Sequence, residues 1–240
     1  MTPVVLVHGF LGGSRQWHAL RAALGSDFDA IAVDLPGFGE NAELRAPGSI
    51  AEFAGWVLEE LSARNVERFH LVGHSMGGMI VQEMVARAPE RVDRLVLYGT
   101  GAIGALPGRF ETIDTSKCRA RADGARATAR RIAATWFLEQ EGAAAYQECA
   151  TIAEHSSLQA IVAGLDAMQG WSGTEQLGDI RAKTLVIWGD RDQTYPWSQT
   201  EYLWRSIKGA SLAVIPDCAH AAHLEKPELF NWVLGDFLKA

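Results

Sequence analysis

A chain of 240 residues, 48% of them hydrophobic and 21% charged, can form one globular domain with a large core and an inserted subdomain. Its formal net charge of −7 argues against nucleic acid as the main partner, because phosphate contacts need a basic surface. No apolar run approaches the length of a membrane span, and the three cysteines, Cys118, Cys149 and Cys218, make neither a zinc pattern nor a disulfide framework.

Met1-Thr2-Pro3 leads straight into Val4-Val5-Leu6-Val7, the continuous apolar run of a strand covered on both faces. The charged start and cleavage site of a signal peptide are absent, which predicts a cytoplasmic protein. A glycine-rich loop, His8-Gly9-Phe10-Leu11-Gly12-Gly13, follows. Trp17 to Leu24 reads as a helix and Ala30-Ile31-Ala32-Val33 as the next strand, ending in Asp34-Leu35-Pro36-Gly37-Phe38-Gly39. Ile50 to Arg64 has apolar positions at helical spacing, with Ser49 placed to cap it. Phe69-His70-Leu71-Val72 is a strand, Met76 to Ala88 a helix stopped by Pro89, and Leu95-Val96-Leu97-Tyr98 a further strand.

The rhythm then breaks. From about Gly104 to Gly178 the chain is rich in Ala, Arg, Glu and Gln and reads as a helical insertion. It resumes with a strand at Thr184 to Trp188, a helix at Trp197 to Ile207, a strand at Ser211 to Ile215 and a helix at Pro227 to Leu238. Strands alternating with helices predict a mostly parallel α/β sheet of about six strands. The predicted organisation is a core over 1–103, a helical lid over 104–178 and the rest of the core over 179–240.

Gly73-His74-Ser75-Met76-Gly77 sits where strand turns into helix. That context makes G-x-S-x-G a nucleophile elbow, with small residues letting the turn close. A serine hydroxyl needs a base within reach and a group to orient that base. In such sheets sites form beyond the carboxyl ends of strands. Gly189-Asp190-Arg191-Asp192 and Ala219-His220 follow two later strands, so the order Ser75, Asp192, His220 matches that of an α/β-hydrolase.

Five segments together resemble the α/β-hydrolase-fold serine hydrolases over nearly the whole chain. They are His8-Gly9, the Asp34 to Gly39 loop, the GHSMGG elbow from Gly73 to Gly78, the acid loop Gly189 to Asp192, and Ala219-His220 with Glu225 and Pro227 downstream. The resemblance implies Ser75 as nucleophile, His220 as base, Asp192 as its orienting acid, and the backbone N–H groups of Phe10 and Met76 as the oxyanion hole. It implies neither metal nor cofactor. It also implies two further strands before the HG loop that this sequence does not carry, so the sheet is either shortened or has an edge covered by a partner, as monomer or homodimer. Family spacing favours Asp192 over Asp190 and His220 over His223. Alanine stands at 219 where the family has glycine, which disfavours a left-handed backbone there. His8 and Asp34 read as loop-shaping residues, His18, His70 and His155 as surface or satisfied histidines, and Cys218 as a packed thiol. Trp197, Tyr202 and Trp204 read as packing on the sheet.

Substrate selection falls to the insertion. Phe10, Leu11, Trp136, Phe137, Met168 and Trp171 are candidates to line an apolar acyl pocket. Arg109, Lys117, Arg119, Arg121, Arg126, Arg130 and Arg131 meet only Glu111, Asp114 and Asp123 in their own segment. Arg119, Arg126 and Arg130 share a helical face, so they either solvate it or dock a carboxylated or carrier-bound substrate. The expected partner is a small-molecule ester, with no nucleic acid and no membrane. The motifs also resemble pimeloyl-carrier-protein methyl ester esterases, menaquinone-pathway lyases and carbon–carbon bond hydrolases, which use the same triad. A non-catalytic ligand receptor is the alternative from another class.

Overall fold

A computed structural model describes residues 2–107 and 111–240. Arg109, one of the basic residues singled out above, lies outside them.

Six strands form a single sheet: β1 (Val4–Val7), β2 (Ala30–Val33), β3 (Phe69–His74), β4 (Val92–Tyr98), β5 (Lys183–Gly189) and β6 (Ser211–Ile215). Their order is β2-β1-β3-β4-β5-β6, and every neighbouring pair is parallel. The edges are β2 and β6, so the first strand of the chain is itself an interior one. The elbow strand β3 lies between β1 and β4 and is buried at all six positions.

Period-two alternation explains the two layers. Val5, Val7, Leu71, Leu95 and Leu97 point into one core, shared with α2 (Ile50–Ala63), α3 (Met76–Arg87) and α8 (Trp197–Ser206). Val4, Leu6, Val72, Val96 and Tyr98 point into the other, closed by α1 (His18–Leu24) and α10 (Pro227–Lys239) through Leu20, Leu24, Phe230 and Leu234. The residues before α1, Ser14–Trp17, form a 3₁₀ turn rather than the start of the helix. Ser49 caps α2 by accepting the Glu52 N–H at 3.2 Å, and the Glu52 carboxylate reaches back to the Gly48 N–H and Ser49 hydroxyl.

Between β4 and β5 the insertion carries α4 (Ile113–Asp123), α5 (Ala125–Ala134), α6 (Tyr146–Ala153) and α7 (Leu158–Gln169). Its neck is a short antiparallel bridge from Ile103 to Ser172, flanked by Gly104 N–H to Trp171 O and Gly173 N–H to Ala102 O at 3.0 and 2.8 Å. The last short helix, α9 (Ala222–Glu225), precedes α10. Trp204 packs as expected, its indole N–H bonded to Ala210 O at 3.0 Å. Trp197 packs its ring on Trp188 of β5, with centroids 5.4 Å apart, whereas Tyr202 keeps 44% of its surface exposed. No helix among the described residues is long and apolar enough to cross a membrane.

The close approach of α3 to β1 depends on Gly77. A Cβ there would lie 2.3 Å from Val7 O and 2.6 Å from His8 O, and backbone cannot move aside as a side chain can. Gly77→Ala is therefore expected to lower unfolding free energy by about 3 kcal/mol, read from the shift in urea midpoint.

Candidate active site

The loops after β1, β3, β5 and β6 converge at one end of the sheet, because all six strands run the same way. Ser75 follows the last residue of β3 and precedes the first of α3, with φ 56° and ψ −121°. A non-glycine residue in that region carries backbone strain, which persists because its surroundings over-determine it. Its N–H donates to Tyr98 O at 3.0 Å, and its carbonyl accepts from Gly78 N–H at 2.9 Å and the Thr100 hydroxyl at 2.7 Å. Gly9 presses against it: a Cβ on Gly9 would sit 2.9 Å from the Ser75 Cβ.

His220, 1% exposed, places Nδ1 2.9 Å from Asp192 Oδ2. The other carboxylate oxygen of Asp192 accepts the N–H groups of Thr194 and Tyr195 at 2.7 and 3.1 Å. Those bonds fix the carboxylate as an acceptor aimed at the ring. With Nδ1 turned to Asp192, Nε2 is the ring nitrogen left free of that pairing. No direct hydrogen bond joins Ser75 Oγ to it among the described residues, a common state before substrate arrives.

The rival residues lie elsewhere. Asp190 uses its N–H on Ile215 O at 3.1 Å and its carboxylate approaches Arg191. His223 is buried against Trp17, with ring centroids 4.7 Å apart, and its Nδ1 meets the Tyr98 hydroxyl at 3.1 Å. In the histidine loop the left-handed residue is Asp217, at φ 50°, so alanine at 219 carries no such strain. Gly189 is needed beneath it, since a Cβ there would meet Ala219 O at 2.3 Å. Cys218 is a packed thiol, its Sγ 3.4 Å from Ile215 O, and burial pushes its pKa up to about 12.

His8 shapes its loop as expected: Nδ1 meets Gly9 O at 2.8 Å and Nε2 accepts the Leu35 N–H at 3.0 Å. Asp34 accepts the Ser14 N–H at 2.8 Å. His18 and His155 are exposed and His70 is buried against Phe28.

His74 has more to do than its place beside Ser75 suggested. Its ring stacks on Tyr98 and lies 4.5 Å from the ring of His220. Its Nε2 donates to His220 O at 3.0 Å, because a carbonyl can only accept. Burial, and then the neighbouring His220 and His223, hold it well below the ordinary imidazole pKa. Burial also lowers His8, and takes His223 to about 3. Each of these histidines binds a proton more readily unfolded than folded. Their contribution to stability is thus complete above the unfolded pKa near 6.5 and is lost as pH falls toward the folded values. Between pH 7.5 and pH 5.5 His223 alone should cost about 1.4 kcal/mol, with His8 and His74 adding in the same direction. Urea titrations at the two pH values measure this, and an unchanged midpoint contradicts it.

Ser75 and His220 line one cavity with Gly9, Phe10 and His74 on the sheet side. Its roof is the insertion: Leu106, Ile113, Ile132, Thr135, Trp136 and Met168. Phe10, Trp136 and Met168 are thus where expected. Leu11, Phe137 and Trp171 are not on its wall. Leu11 is fully buried in the core, where φ 62° turns it inward. Phe137 faces a groove beside Leu138 and Leu224 on the outer side of the cap. Trp171 packs over Gly173, with its indole N–H on Glu83 at 3.0 Å. Gln16, Ile132 and Thr135 were missed. The spacing of Ile132, Thr135 and Trp136 was the available signal, since those positions share one side of a helical stretch.

The room for water centres in the cavity is about 40 Å³, enough for about three waters. The N–H of Met76 is the first of α3 and has no acceptor within the helix; Phe10 lines the cavity, and Met76 directly follows Ser75, which is on its wall. Among the described arginines of the insertion none lines the cavity. Arg119 and Arg131 pair with Glu111 at 3.1 and 2.9 Å, and Arg126 and Arg130 with Glu154 at 3.2 and 2.8 Å. Glu154 comes from outside the basic segment, which is why the local count read as unbalanced. Among the described residues no cluster of side chains is suited to a metal ion.

The family model described as alpha/beta hydrolase fold matches residues 2–227. The dihydrolipoyllysine-residue acetyltransferase component of an acetoin cleaving system from Pseudomonas putida is 29% identical over 99% of this chain, which spans 64% of that protein's length. A provisionally named carbamate hydrolase from Azorhizobium caulinodans is 30% identical, over 98% of this chain and 91% of its own. Among solved structures, the enol-lactonase from Burkholderia xenovorans LB400 superposes with a TM-score of 0.91 at 24% identity, over 100% of this chain and 92% of its own.

Proposed function

The chain belongs to the alpha/beta hydrolase fold family, and from that premise we propose that it is a serine hydrolase cleaving a carboxylic ester through an acyl-serine intermediate. The observation that carries the reading is the buried pair of His220 Nδ1 and Asp192 Oδ2, 2.9 Å apart, whose histidine shares a cavity wall with Ser75.

Ser75 Oγ attacks the ester carbonyl carbon while its proton passes to His220 Nε2. The imidazolium that forms is stabilised by the Asp192 carboxylate, which also holds the ring in the required tautomer. Negative charge gathers on the former carbonyl oxygen, where the N–H groups of Met76 and Phe10 receive it. Each such donor contributes roughly 3–4 kcal/mol to the transition state. Collapse breaks the bond to the alkoxy oxygen, which leaves with the proton from His220. Water, deprotonated by the same nitrogen, then attacks the acyl-serine and releases the acid. The same attack opens a carbamate, so the name of the relative from Azorhizobium caulinodans fits the chemistry.

A fluorophosphonate probe followed by peptide mapping tests the reading. The label is expected on Ser75, together with a burst of p-nitrophenol from p-nitrophenyl butyrate. No label and no turnover on any short ester would leave the fold as a binding scaffold only.

A further inference from the structure

We propose that Glu225 is a positioning residue that ties the seat of His220 to the helical cap. The inference rests on the hydrolase reading above.

The two residues beside His220 both spend their N–H groups on fixed partners. Ala219 N–H donates to Glu225 Oε2 at 2.6 Å. Ala221 N–H donates to Trp136 O at 2.9 Å. The second oxygen of Glu225 accepts the N–H of Leu138, at 2.8 Å. One carboxylate therefore bridges the histidine loop and the cap, and a direct bond two residues away from Leu138 doubles the link. The carbonyl of His220 is held from below by His74 Nε2 and the Tyr98 hydroxyl, at 3.0 and 2.8 Å. His220 is thus anchored to the sheet at its own carbonyl and to the cap through its neighbours.

A carboxylate suits this place because it offers two acceptor oxygens, and bonds to an ionised acceptor are the stronger kind. Glutamine offers one acceptor and an N–H₂ that would face a second N–H. The cap roofs the cavity that Ser75 and His220 share. Trp136 lines that cavity and bonds the histidine loop. A cap displacement must therefore break the two links or carry His220 with it.

Glu225→Gln is the test, with kcat expressed per active serine counted from the burst. The expected result is a fall in kcat per site of at least tenfold with KM within about twofold. Hydrogen exchange should quicken in both the 136–139 and the 218–222 segments. A part in folding alone would lower the number of active sites and leave kcat per site unchanged, and that outcome overturns the proposal. Faster exchange confined to one of the two segments overturns the coupling. A wild-type protein that shows neither burst nor label sinks the hydrolase reading itself, which is a different result. Should Glu225→Gln fail to fold, Glu225→Asp keeps both acceptors on a shorter arm and is read in the same way.

Discussion

Ser75→Ala is expected to lower kcat on p-nitrophenyl butyrate by about 10⁵ to 10⁶-fold while leaving the fold intact. In the proposed mechanism the Ser75 hydroxyl carries the nucleophilic step. Cys149 and Cys218 are buried, with thiol pKa values pushed up to about 12, so neither supplies thiolate near neutral pH. His220→Ala should cost about as much, and the double variant little more, because the two groups act as one unit. Asp192→Asn should cost about 10⁴-fold. The amide can still accept the Thr194 and Tyr195 N–H groups, but it can also turn its N–H₂ toward His220 and select the wrong tautomer. Fold is checked by circular dichroism and the urea midpoint. Retention of more than a hundredth of the wild-type kcat in pure, folded Ser75→Ala would remove the acyl-serine mechanism.

The sheet was readable because its interior strands β1, β3, β4 and β5 are largely buried on both faces, so their apolar runs are continuous and bounded by turn residues, and the half-buried edge strands β2 and β6 keep short apolar runs of their own. Ser75 was readable for a related reason: a strained serine between strand and helix requires small neighbours, and Gly73, Gly77 and Gly78 stand there. In the structure a Cβ on any of them would lie 2.3 to 2.5 Å from another atom. Asp192 and His220 could be found because chain order and strand ends limit where partners can be. The cap was different. Which face of α5 meets the cavity depends on how α4, α6 and α7 pack around it, and no local pattern states that. Trp171 and Phe137 are as apolar as Trp136, yet only Trp136 reaches the cavity. The partner of the arginines was hidden in the same way, since Glu154 reaches Arg126 and Arg130 from the end of a separate helix. The double role of Glu225 was likewise invisible, because it depends on a cap N–H 87 residues away.

The cavity wall leads to the second large effect. Among the described residues, those that line it are neutral apart from its two histidines, His74 and His220. Gln16, Thr135 and Thr194 offer amide and hydroxyl groups, and the remainder is mostly apolar. A carboxylate on the acyl group would meet no arginine or lysine among the described lining residues, and an unpaired ion removed from water costs several kcal/mol even after relaxation. At about 4 kcal/mol the penalty corresponds to roughly a thousandfold in kcat/KM. The comparison is p-nitrophenyl butyrate against the p-nitrophenyl half-ester of succinic acid, which match in chain length and differ in the distal charge. The neutral ester should be favoured by about 10³. Replacing Arg126 and Arg130 together by glutamine should leave that ratio within about threefold, because both guanidinium groups are engaged by Glu154 and Arg126 keeps 79% of its side chain in solvent. Salt should alter the ratio little, since the cost arises from burial and not from screened surface charge. Preference for the half-ester, lost on removing those arginines, would restore the basic face of the cap as the acyl-recognition surface.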